Sequence, residues 1–143
     1  MRAVSLLQGM LTGLAAIALM AGVAVADEAA VGIKVHKQSG INYITGGANE
    51  SAKAFEQVAN RYPVQIHFTL GGERVDTGPV RVTLRDIKGE AQVEADTEGP
   101  FFFINPPSGR WTFEVERNGE KLTRTKDLTG RRYLVIDFDF AKP

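Results

Sequence analysis

Residues 110–127 read RWTFEVERNGEKLTRTKD. Trp111, Phe113 and Val115 alternate with Thr112, Glu114 and Glu116, the period of a strand with one buried and one wet face. Asn118-Gly119 supplies the two left-handed conformations of a tight hairpin turn, so 110–117 and 120–127 should pair directly. The same alternation recurs on either side. Val64, Ile66, Phe68 and Leu70 alternate with Gln65, His67 and Thr69; Val80, Val82 and Leu84 with Arg81, Thr83 and Arg85; Leu134, Ile136, Phe138 and Phe140 with Val135, Asp137 and Asp139. Weaker strand patterns fit 91–95, 100–104 and 120–127. Gly71-Gly72, Lys88-Gly89, Glu98-Gly99, Pro106-Pro107-Ser108-Gly109 and Thr129-Gly130 punctuate them. Seven strands at this spacing predict a mainly β chain folded as a sandwich over residues 64–143.

Residues 27–63 read as an N-terminal extension. Ile33 and Val35 alternate with Lys34 and His36, a short strand; Ser39-Gly40 is a turn signal; Ile41, Tyr43 and Ile44 resume apolar character; Gly46-Gly47 breaks the chain. Asn49 stands at an N-cap position and Glu50 in a first turn, where its charge favours the helix dipole. Ala52, Phe55, Val58 and Ala59 recur at helical spacing, which predicts one amphipathic helix over about residues 50–61. Pro63 ends it, because the residue before proline is pushed out of the helical region.

Residues 1–26 carry a single charge, Arg2, then an uninterrupted uncharged stretch, then Ala24-Val25-Ala26 before Asp27-Glu28. A basic start, an apolar middle and a small-x-small site predict a secretory signal peptide cleaved near Ala26. An uncleaved membrane anchor is the rival reading; Gly9, Gly13 and Gly22 weaken a spanning helix, and the cleavage motif favours removal. No second apolar span follows. The expected location is the bacterial periplasm or outside the cell. The chain has no cysteine, so its core must hold without disulfides, and thiol chemistry and Cys-based zinc sites are excluded. Its 17 Lys and Arg balance 17 Asp and Glu, which leaves no basic excess for nucleic acid.

Few residues suggest chemistry. His36 and His67 are the only histidines, and both fall at wet strand positions with no third ligand in view, so no metal site or cofactor is expected. Asp137 with Asp139, and Glu114 with Glu116, are carboxylate pairs on strand faces; acid–base hydrolysis uses such pairs, but Arg81, Arg85, Arg117 and Arg124 are available to neutralise them. No serine stands in a nucleophile-elbow setting, and no catalysis is expected. Phe101-Phe102-Phe103 must split between two faces. We expect Phe101 and Phe103 in the core, and Phe102 outward, beneath the helix with Phe55 and Tyr62 or exposed as a partner anchor.

Three stretches together resemble a carboxypeptidase regulatory-like domain. Gly78-Pro79-Val80-Arg81-Val82-Thr83-Leu84-Arg85-Asp86-Ile87-Lys88-Gly89-Glu90 is similar to its opening hairpin; Thr97-Glu98-Gly99-Pro100-Phe101-Phe102 to its later aromatic strand; Pro106-Pro107-Ser108-Gly109-Arg110-Trp111-Thr112-Phe113-Glu114-Val115 to its proline-glycine strand, with Ser108 inserted. The resemblance covers about residues 64–140. It implies a seven-stranded transthyretin-like (prealbumin-like) sandwich and says little about activity. Tyr43-Ile44-Thr45-Gly46-Gly47-Ala48-Asn49-Glu50 resembles an element that precedes a helix and such a sandwich in small exported bacterial proteins.

Two functions follow as expectations. The first is a non-catalytic interaction or scaffold module with an envelope protein partner, bound through Tyr43, Gly46, Gly47, Asn49, Glu50 and Phe102. It requires an exposed apolar patch or an open sheet edge. The second is a carbohydrate- or cell-wall-binding module that stacks glycan on Trp111 and Tyr133. It requires those rings to be exposed.

Overall fold

The computed structural model describes residues 27–48, 51–73, 78–97, 99–130 and 133–142. The predicted signal peptide lies outside the described residues, and so do Asn49 and Glu50. The strands are β1 His36–Gln38, β2 Ile41–Gly46, β3 Val64–Leu70, β4 Arg81–Arg85, β5 Ala91–Asp96, β6 Phe101–Asn105, β7 Arg110–Arg117, β8 Glu120–Asp127 and β9 Leu134–Phe140. One α-helix, α1, spans Ser51–Val58 and runs into a 3-10 turn at Ala59–Arg61.

Two sheets enclose one apolar core. The first has the order β1-β2-β6-β3-β9, the second β5-β4-β7-β8. Val64, Ile66 and Phe68 of β3 and Ile136, Phe138 and Phe140 of β9 face Val82, Leu84, Phe113 and Val115 of the second sheet. The fold is therefore mainly β and sandwich-like, as the alternation predicts. The quoted hairpin forms as read. Arg117 pairs with Glu120 across Asn118 and Gly119, whose φ angles of 49° and 82° are the left-handed pair the turn needs.

Among the described residues the count of seven strands is corrected to nine. Seven lie between residues 64 and 140, and β1 and β2 add two more to the first sheet. The reason is visible in the parity of β2. Ile41 and Tyr43 enter the core between the sheets, while Ile44 faces the other way, and the strand pairs along β6 with Ile44 opposite Phe103.

The orientation of the Phe101–Phe103 run is also corrected. Phe102 points into the inter-sheet core and is fully buried. Phe101 and Phe103 point outward and form a second cluster with Ile44, Phe55, Val58 and Tyr62 beneath α1. Register decides this. Phe102 stands opposite Ile66, and Val64 opposite Ile104, so Phe102 and Ile104 share the inner face. The helix thus covers the outer face of the first sheet as a third layer.

The edges of a sandwich need closing. On one side the side chain of Gln38 serves as a substitute strand: its Nε2 donates to Glu94 O at 2.9 Å and its Oε1 accepts from Glu94 N at 2.9 Å. On the opposite side the edges are β8 and β9. Arg124 of β8 lies over the Phe138 ring at 5.3 Å, and Glu120 Oε1 accepts from Ala141 N at 3.0 Å.

The charged face of the second sheet is largely self-neutralised. Arg81 meets Glu94 and Asp96, while Arg85 and Lys121 both meet Glu114, at 3.1 and 3.3 Å. Partial burial pushes the Glu114 carboxyl up, but the bonds from Arg85 and Lys121 outweigh it, and the net shift is downward from the ordinary 4.5. A lowered native value means that stability from Glu114 is present above about pH 4.5 and is lost as pH falls through the native value. We expect the melting temperature to fall below that pH and Glu114→Gln to flatten the fall; an unchanged acid limb in the variant would contradict the ion pairs. The measurement is thermal denaturation across an acid pH series.

Candidate functional site

Two surfaces combine exposure with unused binding groups. The first is a groove of about 610 Å³ between the N-terminal segment and the start of α1. Lys34, His36, Gly46, Gly47, Ser51 and Phe55 are among the residues that line it. The glycines matter for packing. Gly46 has φ 142° and Gly47 φ 90°, and a side chain on Gly47 would overlap the ring of Phe101. Gly99 makes the third part of this crossing, since a Cβ there would lie 2.6 Å from the Gly46 carbonyl oxygen.

The groove's N-terminal wall is tied down close to the predicted cleavage site. Asp27 Oδ1 accepts from Ala30 N at 2.8 Å. Glu28 is buried, accepts from the Tyr62 hydroxyl at 2.6 Å and faces Arg61 Nη1 at 3.5 Å. Burial first, and the Glu28 carboxylate second, push the Tyr62 phenol well above its ordinary value of 10.0. Val31 and Ile33 then pack on the cluster beneath the helix.

The second surface is the outer side of β9 at the edge of the first sheet. β9 runs parallel to β3, with Leu134 opposite Val64 and Phe140 opposite Leu70. Leu134 N donates to Pro63 O, and Phe140 O accepts from Gly71 N. In a parallel ladder, alternate residues direct both backbone groups to the same neighbour. Leu134, Ile136, Phe138 and Phe140 therefore bond β3. Val135, Asp137 and Asp139 direct their N–H and C=O groups to the open side, where no partner meets them among the described residues. Tyr133 and Val135 are 57% and 53% exposed, which puts an apolar pair at the start of this edge.

The side chains beside that edge are acidic. Asp137 lies 3.7 Å from His67 Nδ1, and its side chain is 67% exposed. Asp139 Oδ1 accepts from the Thr69 hydroxyl at 2.7 Å and from Gly72 N at 2.6 Å. The Thr69 bond first, and the Gly72 amide second, hold its carboxyl below the ordinary carboxylate range. His67 is no free surface histidine, since its ring packs 5.0 Å from that of Phe101.

The residues singled out from sequence divide sharply. Gly46 and Gly47 line the groove. Tyr43 does not present its ring: it is stacked between His36 at 5.1 Å and Phe102 at 5.2 Å, and its hydroxyl accepts from Gln38 Nε2. Phe102 is sealed in the core and offers nothing to a partner. Trp111 is buried at 8% exposure, with Nε1 donating to Pro107 O at 2.8 Å, so its face is packed and not open for stacking. Tyr133 is exposed, and its hydroxyl reaches Asn60 O at 3.3 Å. Among the described residues no three His, Asp or Glu lie close enough together to hold a metal ion.

Compared with known proteins, the chain matches no family model, and no curated protein is significantly similar to it. Among the described residues no helix is long and apolar enough to cross a membrane.

Proposed function

We propose that this chain is an exported, non-catalytic protein-interaction module of the bacterial cell envelope. Its sandwich would be of the carboxypeptidase regulatory-like, transthyretin-like type. The seven strands that fall within the stretch resembling that family support this finer reading.

The observation that carries the interaction role is the β9 edge. Unpaired backbone groups on a sheet edge cost little in water, yet they form a ready template for a strand from another chain. The other long exposed strand, β8, carries Lys121, Arg124 and Lys126, side chains that discourage docking. β5 is blunted by Gln38. β9 carries no lysine or arginine, among the described residues no group bonds its outward N–H and C=O groups, and it begins beside the exposed pair Tyr133 and Val135.

The test is site-specific photocrosslinking in intact cells. A photoreactive residue at Val135 should give a discrete protein adduct, and the same residue at Glu94, whose backbone is already held by Gln38, should give none. Adducts at both positions, or at neither, would count against the edge as the interaction surface.

A further inference from the structure

We infer that the β9 edge accepts an extended segment of another protein, antiparallel because that pairing is the more stable per residue, with basic residues at two alternate positions and an apolar residue at the next. The inference rests on the interaction reading above and supplies the chemistry of the partner.

The edge presents three outward residues in succession, Val135, Asp137 and Asp139, each offering an N–H and a C=O to the open side. Their side chains lie on one face, because a strand alternates. A strand pairing with this edge places its own side chains directly opposite them, about 4.5–5.5 Å apart at Cβ. Opposite-charge pairs at that distance stabilise, and like-charge pairs destabilise. Read from the N-terminus of an antiparallel partner, the positions opposite Asp139, Asp137 and Val135 therefore call for basic, basic and apolar side chains, one residue apart. The basic residues meet carboxylates that face outward: Asp137 is mostly exposed, and both bonds to the Asp139 carboxylate fall on its Oδ1. The intervening residues of the partner face the rim of the core, where Phe138 is capped by Arg124. A cation already stands there, so those positions suit neutral side chains.

The same charges argue against a second copy of this chain. The antiparallel register that overlaps two β9 edges most fully sets Asp137 against Asp137. Such pairing is disfavoured. The charges thus disfavour the fullest self-pairing while leaving the edge open to a basic strand.

The test uses protein purified from cells expressing the full chain. Its probes are three blocked peptides: Thr-Lys-Thr-Lys-Thr-Val-Thr, the same sequence with Glu for Lys, and the first sequence reversed. Binding is read by amide chemical-shift changes and by fluorescence anisotropy. We expect the Lys peptide to bind at least tenfold more tightly than the Glu peptide and more tightly than the reversed one, to weaken with added salt, and to shift the amides of Val135, Asp137 and Asp139. Asp137→Lys should abolish the preference, and Asp137→Lys combined with Asp139→Lys should reverse it. Equal binding of the Lys and Glu peptides at these amides would overturn the charge inference and leave the open edge standing. No binding of the Lys peptide while the three amides exchange freely with solvent would do the same. Protected amides on the unbound protein would instead overturn the interaction reading itself. Concentration-dependent dimerisation through β9, abolished by Asp137→Lys, would also overturn the inference, because the occupant would then be a second copy.

Discussion

Phe102→Ala should remove about 3–5 kcal/mol of folding stability, the usual cost of emptying a large buried aromatic site. That is a large share of the roughly 5–15 kcal/mol that holds a small domain together. Phe102 sits at the middle of β6, which is bonded on both sides, to β2 and to β3. Its ring lies between the sheets and stacks on Tyr43, which in turn stacks on His36. No neighbour can collapse into the space without shifting a paired strand, so the cavity stays largely open. The change should also release Tyr43 from its stack and reduce the near-ultraviolet dichroism of the folded protein. Tyr133→Ala is the control; an exposed side chain of this kind should change stability by no more than about 0.5 kcal/mol. Chemical denaturation of both variants measures the contrast. A loss below about 1 kcal/mol for Phe102→Ala would mean that this ring is not in the core.

Gly47→Ala should be the other severe change, by about 2–4 kcal/mol, from two separable sources. The backbone at Gly47 has φ 90°, which residues with a Cβ adopt only at a cost of about 1–2 kcal/mol. The added methyl would also overlap Phe101, which is itself held against Phe55 and Phe103 beneath the helix. Gly32→Ala separates the two sources. Its φ of 82° is similar, but nothing lies within 4 Å of the added Cβ, so it should show the conformational cost alone. Equal losses at the two positions would show that the Phe101 ring yields freely. A larger loss at Gly47, partly recovered by adding Phe101→Leu, would confirm the close approach that shapes the groove.

Strand identity was largely legible because each strand declares its own period. The 110–127 hairpin needed only its alternation and the Asn118-Gly119 turn. The helix needed only the spacing of Ala52, Phe55 and Val58 and the stop at Pro63. The Phe101–Phe103 run misleads because three equal aromatics show no alternation. The signal lay one residue further on: Ile104 shares the parity of Phe102, while the exposed Asn105 shares that of Phe101 and Phe103. The place of Tyr43 is hidden for a related reason. Read as part of an appended segment, its strand had no core to face; joined to β6, its alternate residues did.

The candidate surface on β9 was not legible at all. Asp137 and Asp139 drew notice as a carboxylate pair, but what gives them meaning is the neighbour their strand lacks. Neighbours in a sheet are set by packing between residues far apart in the chain, here β3 on one side and, among the described residues, no strand on the other. The Glu28–Tyr62 bond was hidden for the same reason, since 34 residues separate its partners. A buried acid beside an apolar cluster carries no local pattern that announces it.

The central claim is that β9 is bonded on one side only, and amide hydrogen exchange read residue by residue tests it most directly. The account predicts an alternating record along the strand. Ile136 and Phe138, bonded to β3, should exchange slowly, at rates set by opening of the core. Val135, Asp137 and Asp139 should exchange faster by orders of magnitude, since their N–H groups face solvent. Uniform slow exchange from Val135 to Asp139 would contradict it, because the edge would then already be paired.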